Sequence, residues 1–136
     1  MASPAKDLEA PSRPLRRIVR SFKFAFAGLT ALVRTQPNAW VHVALAALAL
    51  GLSLVLRLSP VEIAVVILTI GLVLTAEAVN TALESVCDLV SPGYHPLVKK
   101  AKDLSAAAVL ISAVAAIGVA LAVFLPPLLR ALGSQA

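Results

Sequence analysis

Three long apolar runs constrain this chain more than anything else in it. VALAALALGLSLVL (43–56), VVILTIGLVLTA (65–76) and AAAVLISAVAAIGVALAVFL (106–125) contain no charged residue. About 20 apolar residues in a helix cross the hydrocarbon core of a bilayer. There the backbone must satisfy its own hydrogen bonds, which a helix does. The expectation is an all-α integral membrane protein with three transmembrane helices. Composition agrees: of 136 residues, 60% are hydrophobic and 14% charged, whereas soluble domains run roughly 45–50% and 25%. The length suits one domain.

The spans are read at about 37–58, 60–90 and 104–125. Pro37 can open a helix, because its missing N–H would be an orphan there anyway. Trp40 and His42 follow at headgroup depth, where amphipathic rings are favoured. Arg57, Leu58, Ser59 and Pro60 read as a tight turn. SPGYHP (91–96) breaks the second span, since Pro-Gly is a turn pair and Pro96 blocks helix continuation. LVKKAKD then leads into the third span. Pro126 and Pro127 mark its end, and residues 131–136 read as a tail.

Ahead of the spans, residues 15–34 read as an amphipathic helix. Leu15, Ile18, Val19, Phe22, Phe26, Leu29 and Val33 recur at three- and four-residue steps. Arg16, Arg17, Arg20 and Lys23 take the other side. A basic face opposite a Phe/Leu face suits a helix lying in the membrane interface. Residues 1–13 are polar and proline-rich, which reads as a disordered tail.

The formal net charge is +5. Beside apolar runs it reports topology and contact with anionic lipid, and nucleic-acid binding is disfavoured. Arg13, Arg16, Arg17, Arg20, Lys23 and Arg34 precede the first span, and Lys99, Lys100 and Lys102 follow the second. Only Arg57 and Arg130 fall on the opposite side. The positive-inside rule places the N-terminal helix and the 91–103 loop in the cytoplasm. Cys87 is the single cysteine, so no internal disulfide can form; it reads as a packing residue.

One stretch does not suit a bilayer. EAVNTALESVCD (77–88) puts three carboxylates on the end of the second span. At about 100° per residue, with Glu77 at zero, Asn80 falls near −60°, Thr81 near +40°, Glu84 near −20° and Asp88 near +20°. These groups form one stripe. Ionisable groups in a span face a partner or a wet cavity. Clustered carboxylates repel unless a positive charge sits among them, and hard oxygen ligands select Mg²⁺, which takes one or two carboxylates plus substrate phosphates. The loop beyond adds lysines that can meet phosphate as point charges. Phosphoryl transfer to a membrane-embedded substrate fits this set. So do an ion-coupled transporter and a purely structural pairing with the basic helix. Neither GxxxxGK[ST] nor GxGxxG is present, so the phosphate loops of soluble nucleotide enzymes are not used.

GLVLTAEAVNTALESVCDLVSPGYHPLVKKAKDLSAAAVLI resembles the small bacterial membrane kinases of the diacylglycerol kinase / undecaprenol kinase family. The signature is carried by Glu77, Asn80, Thr81, Ala82, Leu83, Glu84 and Asp88, then His95, then Ala101-Lys102-Asp103 and Ala106 to Leu110. RSFKFAFAGL is similar to the family's surface helix and TQPNAWVH to the start of its first span. The likeness covers roughly residues 16–125.

The resemblance implies a homotrimer in the bacterial inner membrane, its active site shared between protomers near the cytoplasmic face. It implies ATP, Mg²⁺ and direct transfer of the γ-phosphate to a lipid hydroxyl. Glu77 would be the general base and Asn80 would help position phosphates or metal. Glu84 would ligate Mg²⁺, and Lys102, Asp103, Asp88 and Arg17 would contact nucleotide or phosphate. A carboxylate in an apolar interface is a stronger proton acceptor, which suits a base. His95 receives no role. Two positions depart from the pattern. Gln36, a further candidate metal ligand, stands where the family commonly has glutamate, and Trp40 where a basic residue is frequent. Both bear on metal affinity or rate rather than fold. The VNTA form looks more like the undecaprenol kinase branch. The alternatives are a weakened or inactive relative and a small ion-coupled membrane protein.

Overall fold

The structure is a computed structural model and describes residues 14–133; the tail expected at 1–13 and the last three residues lie outside them. Four helices follow in order: α1 (Pro14–Thr35), α2 (Pro37–Val55), α3 (Pro60–Val90) and α4 (Pro96–Gly133). Each begins on a proline, whose fixed φ and missing N–H suit the first helical position. The all-α expectation holds, and α2, α3 and α4 are each long and apolar enough to cross a membrane.

α1 up to Ala31 forms one compact unit, and Leu32 onward forms a second. Within α1, Phe22, Phe26 and Leu29 are 62%, 68% and 53% exposed. The helix therefore carries an apolar stripe that is left open.

In the second unit α3 is central, packing most heavily on α4 and also on α2. The apolar core gathers at the end where α2 turns into α3. Leu58, Val66, Val123 and Phe124 are buried together there, with Leu52, Leu56, Ile63 and Ile70 around them. The turn is a Schellman motif: Leu58 N–H donates to Ser53 O at 3.0 Å and Arg57 N–H to Leu54 O at 3.2 Å. Arg57 takes the left-handed position, φ 53°. Ser59 then caps α3 in a reciprocal capping box with Glu62.

α4 departs from the expected bounds at both ends. It opens at Pro96, so LVKKAKD is helical. Lys99 and Asp103 pair at 2.5 Å one turn apart, as a helix allows. The helix also continues through Pro126 and Pro127 to Gly133. Proline removes a backbone hydrogen bond, but membrane helices tolerate this when packing holds both sides. Here Val123 and Phe124 are buried just before the pair and Leu128 packs on the core just after it.

At 1.5 Å per residue, the 31 residues of α3 span about 46 Å against roughly 30 Å of hydrocarbon. The helix is therefore longer than the hydrocarbon is thick. Its last turns carry the acidic stripe.

Candidate active site

The buried residues of α3 are Val66, Val73, Glu77, Asn80 and Cys87. Steps of seven, four, three and seven keep them on one slowly drifting stripe. The polar residues therefore continue the packing face of α3 and do not open a separate face. Glu77 is only 3% exposed, and no described residue offers it a hydrogen bond. One turn on, Thr81 Oγ1 is buried without a partner. A buried polar group without a hydrogen bond is costly, and Thr81 Oγ1 is such a group, one turn from Glu77.

Further along the stripe the polar groups are joined. Asn80 Nδ2 donates to Glu84 Oε1 at 3.1 Å. Ser105 Oγ on α4 donates to Asn80 Oδ1 at 2.6 Å and contacts the Lys102 carbonyl at 2.9 Å. Lys102 Nζ meets Asp88 Oδ1 at 2.6 Å. Glu84, Asn80, Ser105, Lys102 and Asp88 thus form one array across the α3–α4 contact, beside Glu77.

No described hydrogen bond or ion pair joins the other sequence candidates to this array. Asp103 pairs with Lys99 on an exposed face. Gln36 is the N-cap residue of α2, and its side chain makes no cap hydrogen bond. Arg17 is exposed on α1, where its carbonyl accepts from Ser21 at 3.0 Å. His95 gains a structural role: its Nδ1 accepts the Leu97 N–H at 3.3 Å at the start of α4. Cys87 is free and buried, as a packing residue should be. Ser105 is the residue the sequence reading misses. Its signal is a position three after Lys102, hence the same helix face, which appears only once α4 starts at Pro96.

An apolar groove of about 360 Å³ lies between α2, α3 and α4. His42, Leu45, Val73, Leu74, Ala113 and Phe124 are among its lining residues. Val73, at the edge of the groove, is one turn from Glu77.

Among the described residues no group of three or more His, Cys, Asp or Glu could hold a metal by itself. A Mg²⁺–nucleotide does not require one, because phosphates and water complete its octahedron around one or two carboxylates. Glu84 fits that demand: its Oε1 is held by Asn80, and Oε2 has no described hydrogen-bond partner.

The sequence profile of the prokaryotic diacylglycerol kinase family matches residues 23–124. A diacylglycerol kinase of Synechocystis sp. is 40% identical over 126 residues, covering 86% of this chain and 72% of the relative. An undecaprenol kinase of Bacillus subtilis is 38% identical over 114 residues, covering 84% and 93%. A diacylglycerol kinase of Pseudomonas aeruginosa is 34% identical over 94 residues, covering 69% and 76%. The matched residues run from inside α1 through all three membrane helices and take in every member of the α3–α4 array; the chain belongs to the prokaryotic diacylglycerol kinase family and is a membrane lipid kinase.

Proposed function

We propose that this kinase transfers the γ-phosphate of ATP to the hydroxyl of a membrane lipid alcohol, with undecaprenol preferred over diacylglycerol. One observation carries the reading: a buried, unpartnered Glu77 stands between an apolar groove and a polar array containing Glu84, Asn80 and Lys102. A lipid whose tail occupies the groove brings its hydroxyl to Glu77. That hydroxyl supplies the partner that Glu77 and Thr81 lack.

In this reading Glu77 accepts the hydroxyl proton as the oxygen attacks the γ-phosphorus. The bond from the γ-phosphorus to the bridging oxygen breaks, and ADP leaves with the electron pair. Glu84 is the carboxylate ligand of Mg²⁺, with Gln36 as a neutral second oxygen ligand. Bound Mg²⁺ supplies charge neutralisation on the phosphates. The second N–H of Asn80 is available to a phosphate oxygen. Lys102 exchanges Asp88 for phosphate, and Asp88, Asp103 and Arg17 contact the nucleotide.

We place the N-terminus and the α3–α4 turn in the cytoplasm of a bacterial inner membrane, since the basic residues concentrate there. α1 lies in the interface, which would cover its open stripe. The homotrimer rests on the family resemblance; lipid or neighbouring protomers would cover the apolar residues exposed on the membrane helices, such as Leu54 at 74% and Ile111 at 70%.

Purified protein given ATP and Mg²⁺ with either undecaprenol or diacylglycerol tests the reading. Phosphorylated lipid is expected, more from undecaprenol; no product from either would refute it. Gln36 favours a second reading, a kinase weakened at its metal. Slow turnover that Gln36→Glu accelerates would identify that case.

A further inference from the structure

Ser105 has no place in the sequence motif, yet it joins the two helices of the site. Ser21, Thr30, Ser53, Thr69, Ser85 and Ser112 each donate to a carbonyl three or four residues back in their own helix. Such bonds merely satisfy a hydroxyl. Ser105 has that contact too, at 2.9 Å to Lys102 O, but reaches α3 at the shorter distance of 2.6 Å.

The donors along this chain of contacts have one consistent arrangement. An ionised Glu84 only accepts, so the amide atom 3.1 Å from its Oε1 is nitrogen. That turns Asn80 Oδ1 to Ser105, where an oxygen can only accept. The Lys102 carbonyl can only accept as well, and the shorter contact, 2.6 Å against 2.9 Å, places the single Ser105 proton toward Asn80. Turning the amide over would set two acceptor oxygens against each other at Glu84.

We propose that Ser105 is a positioning residue for phosphoryl transfer. Its hydroxyl fixes the Asn80 amide so that one N–H holds Glu84 Oε1. The second N–H is left for phosphate, and Glu84 Oε2 is left for a divalent cation. This rests on the reading of Glu84 as the metal ligand. Ser105 touches neither substrate nor metal and acts through Asn80.

The test uses the full chain in detergent micelles, with Ser105→Ala, Ser105→Thr, Asn80→Ala and the double variant Ser105→Ala/Asn80→Ala. Alanine is the best helix former, so Ser105→Ala keeps α4 intact. The chain has four side-chain amides, at Gln36, Asn38, Asn80 and Gln135, and Asn80→Ala assigns the Asn80 signal in a ¹⁵N spectrum. Ser105→Ala should move that signal and weaken Mn²⁺ binding, measured with a non-hydrolysable ATP analogue, about five- to tenfold, the range for one hydrogen bond. Ser105→Thr should restore both. With Asn80 already alanine, removing the hydroxyl should cost nothing more. An unmoved Asn80 signal, unchanged Mn²⁺ affinity, or an equal loss in the Asn80→Ala background would overturn the proposal. The amide signal does not depend on turnover. A wild-type protein that phosphorylates no lipid would therefore refute the kinase reading, while the spectrum still reports on the Ser105 link.

Discussion

Lys102 on α4 and Asp88 on α3 face each other at 2.6 Å across the helix contact. The sequence offers both as contacts to a nucleotide, and in the fold each occupies the other. Their side chains are 35% and 66% exposed. A pair so open to water stabilises little, because solvent already screens both charges. In the proposed mechanism the pair holds the lysine in place until phosphate arrives. Lys102→Met should therefore leave the thermal unfolding midpoint almost unmoved. The loss of one charge-assisted contact should raise KM for ATP about ten- to a hundredfold. Steady-state kinetics at saturating lipid, beside an unfolding curve, checks both. A large fall in stability with an unchanged KM would make the pair structural.

Glu77→Gln separates chemistry from packing. The side chain is buried with no described hydrogen-bond partner. The amide has nearly the same shape and no charge. Stability should stay equal or rise. Turnover should fall about 10²- to 10⁴-fold, the usual contribution of a general base. Lipid phosphorylation measured on folded variant gives the answer; a destabilised variant with residual wild-type turnover per folded molecule would give Glu77 a packing role instead.

Gln36→Glu should lower the Mg²⁺ concentration for half-maximal activity. The amide oxygen can ligate a hard cation but brings no charge, and a carboxylate adds one. Its position also favours the change. Gln36 is the N-cap of α2 and makes no side-chain cap bond, and a negative charge at a helix N-terminus stabilises by about 0.3–1 kcal/mol. A Mg²⁺ titration of both proteins decides. An unchanged midpoint would remove residue 36 from the metal site.

Much of the fold is legible because local chemistry and global packing agree. Pro37 and Pro60 sit at true helix starts, and the apolar runs between the punctuation are long. α4 is where the two part. From sequence Pro96 reads as a stop to the preceding helix, whereas it opens the next one. Lys99 and Asp103 read as loop charges, whereas they are a helical i,i+4 pair. The double proline at 126–127 reads as an end, but burial of Phe124 on one side and packing of Leu128 on the other outweigh the lost backbone bonds. The site divides the same way. Glu77, Asn80 and Glu84 share one helix, so phase alone aligns them. The links from Asn80 to Ser105 and from Asp88 to Lys102 depend on how α3 crosses α4. No pattern within one helix contains that information.

Arg57 offers a test of the turn that joins α2 to α3. It is the only non-glycine residue with positive φ among those described, at 53°. An L-residue there costs about 1–2 kcal/mol against the right-handed region, and glycine avoids that cost. Arginine is held because both Schellman bonds form around it and Leu58 is buried immediately after. Glycine also gives the unfolded chain more freedom, which offsets part of the gain. Arg57→Gly should therefore raise stability by about 0.5–1 kcal/mol in reversible unfolding and leave turnover unchanged, because the turn lies at the opposite end of α3 from Glu84. Removal of the charge also tests the proposed orientation: Arg57 belongs to the sparsely charged side, so with the N-terminus inside its loss should strengthen, not weaken, the insertion bias. Protease accessibility of the N-terminal segment in inside-out vesicles measures that directly. Destabilisation by Arg57→Gly would show that the arginine side chain contributes more than its backbone strain costs.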